Sequence, residues 1–134
     1  MGWSIALYLG EPRGTKIIGR KNRRPYDDAM YIPDSHCWEL EKIIGHPYSL
    51  VQKTWIGSEL DELLAQINQL ITEWENTIIQ RFLEKIKHST QEQWMEPMIK
   101  KELDKFQPLL KLREFLSLVI RAKSENGTIL VYGD

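Results

Sequence analysis

Residues 58–87 read SELDELLAQINQLITEWENTIIQRFLEKIK, and this stretch decides the fold. Leu60, Leu63, Leu64, Ile67, Leu70, Ile71, Trp74, Ile78, Phe82 and Ile86 recur every three or four residues. That is an apolar stripe of helical period, sustained for nearly eight turns. Ser58 followed by Asp61 resembles a capping box with Asp in place of Glu or Gln. Acids cluster at the start and Arg81, Lys85 and Lys87 at the end, which suits the helix dipole. A straight helix of this length spans about 45 Å, whereas a domain of this size is roughly 36 Å across. The helix therefore bends or breaks near Glu75–Thr77, or its end projects from the rest.

Outward from this helix, the distribution of glycine divides the chain. Six of the eight glycines precede Ser58 and the other two follow Asn126, while Pro97 and Pro108 alone punctuate the glycine-free middle. Because proline fits the first turn of a helix better than its interior, the spacing predicts a helix from Pro97 to Phe106. A second follows from Pro108 to about Lys123, with Leu109, Leu112, Leu116 and Val119 on one face. Asn126-Gly127 supplies a turn into Thr128–Tyr132, a β-rich strand.

The N-terminal third reads differently. Trp3, Ile5, Leu7 and Leu9 alternate with other residues, the period of a strand with one apolar face. Gly10–Gly14 is a turn, Thr15–Gly19 a short second strand, Arg20–Asp28 a polar loop and Ala29–Ile32 another short strand. Asp34 or Ser35 caps a short helix carrying Cys37, Leu40, Ile43 and Ile44 on one side, which Gly45 ends and Pro47 blocks. Tyr48–Ile56 reads as an irregular strand. The expected fold is α+β: a small antiparallel sheet from the N-terminal strands and the C-terminal strand, packed against about three longer helices. The 134 residues fit a single domain, with a strand- and turn-rich part (1–56), a helical part (57–124) and a terminal strand (128–132).

Apolar content of 42% and charged content of 28% are those of a globular protein. No apolar run approaches the roughly 20 residues that cross a bilayer, and no basic region precedes an apolar one at the N-terminus. With a single cysteine, no internal disulfide forms, so a reducing, cytoplasmic location is expected.

The net charge of −1 is unevenly placed. Arg13, Lys16, Arg20, Lys21, Arg23 and Arg24 lie in one acid-free segment; the remaining 12 basic residues face 19 acidic ones. Within Ser58–Gln80 the charged residues are Glu59, Asp61, Glu62, Glu73 and Glu75, with no base among them. The basic cluster Arg20, Lys21, Arg23 and Arg24 suits phosphate or acidic-surface contacts. It carries no interleaved aromatics for base stacking, and a solvated loop paired with Asp27, Asp28 or the acidic helix is the simpler explanation of it. The chain as a whole is not basic, so nucleic acid ranks behind a protein partner.

Catalytic and metal motifs are absent. Phosphate-binding glycine loops, a nucleophile elbow, C-x-x-C and H-E-x-x-H do not occur. His36-Cys37 with Glu39, Glu41 and His46 is the one cluster of ligand-type side chains. Adjacent helical residues do not face one another, so Cys37 reads as a small core residue and the aspartates Asp27, Asp28 and Asp34 as turn residues. No cofactor or metal is implied. Of the five tryptophans, Trp3 and Trp74 lie on core faces, while Trp94, beside Met95 and Met98, is the candidate for an exposed contact.

Charge segregation without catalytic motifs points to a non-catalytic protein-binding protein, an inhibitor or immunity-type protein acting through a charged surface. Small single-domain bacterial immunity proteins are similar to this chain in size and α+β character. The expected contact residues are Arg20, Lys21, Arg23, Arg24, Glu59, Asp61, Glu62, Glu73, Glu75 and Trp94, with no membrane partner and with self-association through the long helix open. The alternative is a small enzyme or ligand-binding protein whose pocket lies between sheet and helices and collects Asp34, His36 and Arg24 from separate loops. A weak nucleic-acid binder using the basic loop is the third reading.

Overall fold

The first and last strands lie side by side. A computed structural model describes residues 2–9, 26–85 and 95–133. In it β1 (Gly2–Tyr8) runs antiparallel to β4 (Thr128–Gly133), placing Ile5 opposite Val131 and Leu7 opposite Ile129. The outer strands are β2 (Asp28–Pro33), paired with β1, and β3 (Lys53–Ile56), paired with β4. All neighbours are antiparallel, in the order β2-β1-β4-β3. The expected α+β fold is thus present, with the two chain ends at the centre of the sheet and β3 as an added edge. That edge strand is shorter than the 48–56 reading. Residues 46–50 instead form turns around Pro47, and the Leu50 carbonyl accepts the Gly133 amide at 3.0 Å. The strand read at Thr15–Gly19 and the turn at Gly10–Gly14 lie outside the described residues.

Alternation sorts the strand residues onto two faces. Trp3, Ile5 and Leu7 join Ile32, Ile129 and Val131 in the main core. Ala6, Tyr8 and Leu130 form a separate small cluster on the other side, with Tyr132 packed against it.

The helices supply the cover for the first face. They are α1 (Glu41–Ile44), preceded by a 3-10 turn at Trp38–Leu40, then α2 (Ser58–Lys85), α3 (Met95–Lys105) and α4 (Gln107–Ser124). The predicted stripe of α2 buries Leu60, Leu63 and Ile67, and that of α4 buries Leu109, Leu112 and Val119, all in the same cluster as the sheet residues. Phe115, outside the predicted stripe, is buried with them, while Leu116 is only partly buried. Each such large side chain contributes roughly 1.5–3 kcal/mol by leaving water.

Local details depart from the sequence reading at several helix ends. The helix of α2 is unbroken through Glu75–Thr77. Thr72 and Thr77 donate their hydroxyls back to the Asn68 and Glu73 carbonyls, an arrangement helices absorb by gentle bending. The α2 start is set by Gly57, whose φ of 58° residues with a side chain rarely adopt and whose carbonyl accepts the Leu60 amide. Asp61 turns away from the expected capping box to meet Lys123. Neither Asp34 nor Ser35 caps the first helical segment: a turn closed from the His36 amide to the Pro33 carbonyl occupies them, and the segment starts at Trp38. Pro97 and Pro108 fall in the first turns of α3 and α4, as their chemistry requires. After α4, Asn126 takes φ 54° and the Gly127 amide reaches back to the Ala122 carbonyl, a Schellman end with asparagine at the left-handed position.

Candidate partner-binding site

The five acids of the base-free stretch 58–80 of α2 divide into two sets. Asp61 and Glu75 face α4: Asp61 lies 2.5 Å from the Lys123 ammonium, and Glu75 lies 3.5 Å from the Arg113 guanidinium, which also holds Asp104 of α3 at 3.1 Å. The base-free stretch in the sequence is therefore neutralised in part by bases far along the chain, in α4. Glu59, Glu62 and Glu73 stay exposed, with Gln66 and Gln69 between them. Their steps of three and four residues set these five polar side chains along one stripe of the helix. Gln69 donates its amide to Glu73 at 3.4 Å. Arg20, Lys21, Arg23, Arg24 and Trp94 lie outside the described residues.

The last three side chains of that stripe, Gln66, Gln69 and Glu73, line one side of a groove. Opposite it stand Glu39 and Lys42 from the 38–44 helical segment, with Ile43 and Leu70 low between them, enclosing a hollow of about 220 Å³. A second hollow of about 250 Å³ continues along α2 past Trp74 and Thr77 to Arg81. The two share Glu39, Leu70 and Glu73, so they form one continuous groove with an aliphatic and aromatic floor and a carboxylate pair at its middle. Trp74 is held there by Phe106, with ring centroids 5.1 Å apart and tilted by 44°.

Glu39 is the unusual member. Its Oε2 is sealed from solvent and finds no hydrogen-bond donor, a costly state for a carboxylate. Its charge is also felt next door. Burial first, and the Glu39 carboxylate second, push the Cys37 thiol up to about 12, against a smaller opposing contribution from the Leu40 backbone bond. A fully buried thiol held protonated in this way is a poor nucleophile near neutral pH.

Among the described residues, the remaining histidines and loop aspartates line neither hollow of the groove. His46 accepts the Tyr48 amide on Nδ1 and packs against the Tyr48 ring. Asp27 accepts the Leu9 amide at 2.6 Å, and Asp28 accepts its neighbour's amide and meets Arg121 at 3.6 Å. The His36 Nδ1 is buried without a partner, but neither it nor Asp34 lines the groove. Among the described residues, no three His, Cys, Asp or Glu side chains are placed to hold a metal ion. No described helix is long and apolar enough to cross a membrane.

One surface residue escaped the sequence reading. Trp38 is 66% exposed, whereas Trp3 and Trp55 are buried and Trp74 is half-buried. The signal was present: with Cys37, Leu40 and Ile44 facing the core, residue 38 falls about 100° off that stripe. It immediately precedes Glu39 and so flanks the groove in sequence.

Compared with known proteins, the chain matches no family model, and no curated protein and no solved structure is significantly similar to it.

Proposed function

We propose that this protein is a non-catalytic protein-binding protein, of the inhibitor or immunity kind, that holds its partner along the charged groove between Glu39–Ile43 and α2. One observation carries the reading: the groove is open, floored by Ile43, Leu70 and Trp74, and walled by charged and amide side chains, one of which, Glu39, lacks a donor. Mixed apolar and polar linings with a nearby exposed tryptophan are the composition of recognition surfaces. Between sheet and helices the space is instead filled by Trp3, Ile5, Leu7, Leu63, Ile67 and Phe115, which favours surface recognition over an internal pocket. The basic cluster at Arg20, Lys21, Arg23 and Arg24 belongs to the same proposal as a steering charge, and a cytoplasmic setting suits its one reduced cysteine.

The test is site-specific photo-cross-linking in the source cells, with the reactive group placed at Gln69 in the groove or at Ile120 on the exposed side of α4. A discrete protein adduct from position 69 and none from position 120 is expected. Equal adducts from both positions, or none from either, would reject the groove as the binding surface. Neutralising Arg20, Lys21, Arg23 and Arg24 together is expected to slow association while leaving the position-69 adduct in place.

A further inference from the structure

We infer that the middle of this groove is a seat for an arginine side chain of the partner; the inference rests on the protein-binding reading above and names its chemistry. Charge arrangement is the first argument. The exposed Lys42 lines only the first hollow and the exposed Arg81 only the second, while Glu39 and Glu73 line both. The deeper charge is the more effective one, because Glu39 is half-buried and water screens it less than it screens the exposed lysine and arginine. A cation arriving at the centre meets an attractive field, and an anion does not.

The sealed oxygen of Glu39 is the second, independent argument. A carboxylate with one oxygen buried and undonated gains more from a cation at its side than a solvated surface carboxylate does.

The floor selects among cations. Leu70 and Trp74 present apolar and aromatic surface beneath the two carboxylates. A planar, weakly hydrated guanidinium lies flat on such a surface and donates from its edges to two acceptors, whereas a compact ammonium keeps its hydration and uses no plane. The remaining wall, Gln66, Gln69 and Thr77, offers neutral donors and acceptors suited to the main chain on either side of the inserted residue.

The experiment is a titration of the isotope-labelled protein with N-acetyl-arginine amide, followed at the Trp74 indole N–H and the Gln66 and Gln69 side-chain amides. Saturable shifts with a Kd on the order of 1 mM are expected for so small a ligand. N-acetyl-citrulline amide, which has the same shape without the charge, is expected to give none, and N-acetyl-lysine amide to bind several-fold more weakly. Glu39→Gln with Glu73→Gln is expected to weaken arginine binding at least tenfold. Because Glu39 is half-buried, Glu73→Lys alone serves as a second variant whose fold is safe, and it is expected to abolish the shifts. Shifts that fail to saturate by about 50 mM, an equal response to citrulline, or binding undiminished by Glu73→Lys would overturn the inference. A groove that ignores arginine but still cross-links a protein from position 69 removes this inference and leaves the protein-binding reading. Arginine binding without any cross-linked protein removes that reading and leaves the arginine seat.

Discussion

The Trp3 indole donates a hydrogen bond to the Gly45 carbonyl across 2.9 Å, joining the second residue of β1 to the residue that ends α1. The bond explains why Gly45 takes φ 107° and ψ 169°, a conformation outside the left-handed helical cap that its position suggested. The glycine ends the helix as expected, and its rotated peptide also satisfies a buried tryptophan. This anchors the 38–44 segment, and with it Glu39 and Lys42, to the centre of the sheet.

Trp3→Phe keeps the ring in the core but deletes the donor and part of the volume. The loss is about 2 kcal/mol, combining an orphaned carbonyl with a small cavity. Urea unfolding with an unchanged slope and a lower midpoint is the expected result. A midpoint within error of wild type would show that the bond does not anchor the segment.

Cys37 makes stability depend on alkaline pH. Its thiol is held at about 12 in the folded chain, against an ordinary value of 9.0 when exposed. Above pH 9 the unfolded chain loses this proton and the folded chain keeps it, so the contribution is fully present below pH 9. It is lost progressively as pH rises towards 12. Thiol labelling of the native protein between pH 7 and 9 should be far slower than labelling in denaturant. Cys37→Ala should flatten the alkaline loss, measured by urea midpoints at pH values stepped upward from 9 towards 12.

Arg113 ties three helices together through Asp104 and Glu75, but all three side chains are at least a third exposed. Arg113→Met should therefore cost no more than about 1 kcal/mol globally. The local effect should be larger. From Pro97 to Lys105, α3 has no buried residue, only the half-buried Ile99 and Leu103, so it depends on few contacts. Hydrogen exchange should show α3 opening before α4 in the wild type, and opening more readily still in the variant or in high salt.

Trp38→Ala should leave the urea midpoint within about 0.5 kcal/mol of wild type, because two thirds of this side chain is already in water. If Trp38 belongs to the recognition surface, the same change should reduce cross-linking from position 69 several-fold. A large loss of stability would instead mark Trp38 as a packing residue.

Much of this architecture was legible because it rests on local periodicity. The ten-residue stripe from Leu60 to Ile86 could satisfy itself only as a helix, and seven of those residues are buried in α2 as the period requires. Pro97, Pro108 and the Asn126-Gly127 pair marked helix starts and a turn through backbone restrictions that act within a few residues. The alternation of Trp3, Ile5 and Leu7 likewise identified β1 and its buried face. What local chemistry left open was every relationship across long separations. The sequence showed five acids and no base across residues 58–80; only the packing of α4 revealed that Lys123 and Arg113 claim two of them and leave Glu59, Glu62 and Glu73 outward. Nor did it show that Glu39, in a short segment pinned by Trp3, stands across from Glu73 to form a groove. Helical and strand periods are set by near neighbours along the chain, and so are written in the order of residues. A groove and its charge are set by which surfaces the buried core brings together, and that is decided only when the chain folds.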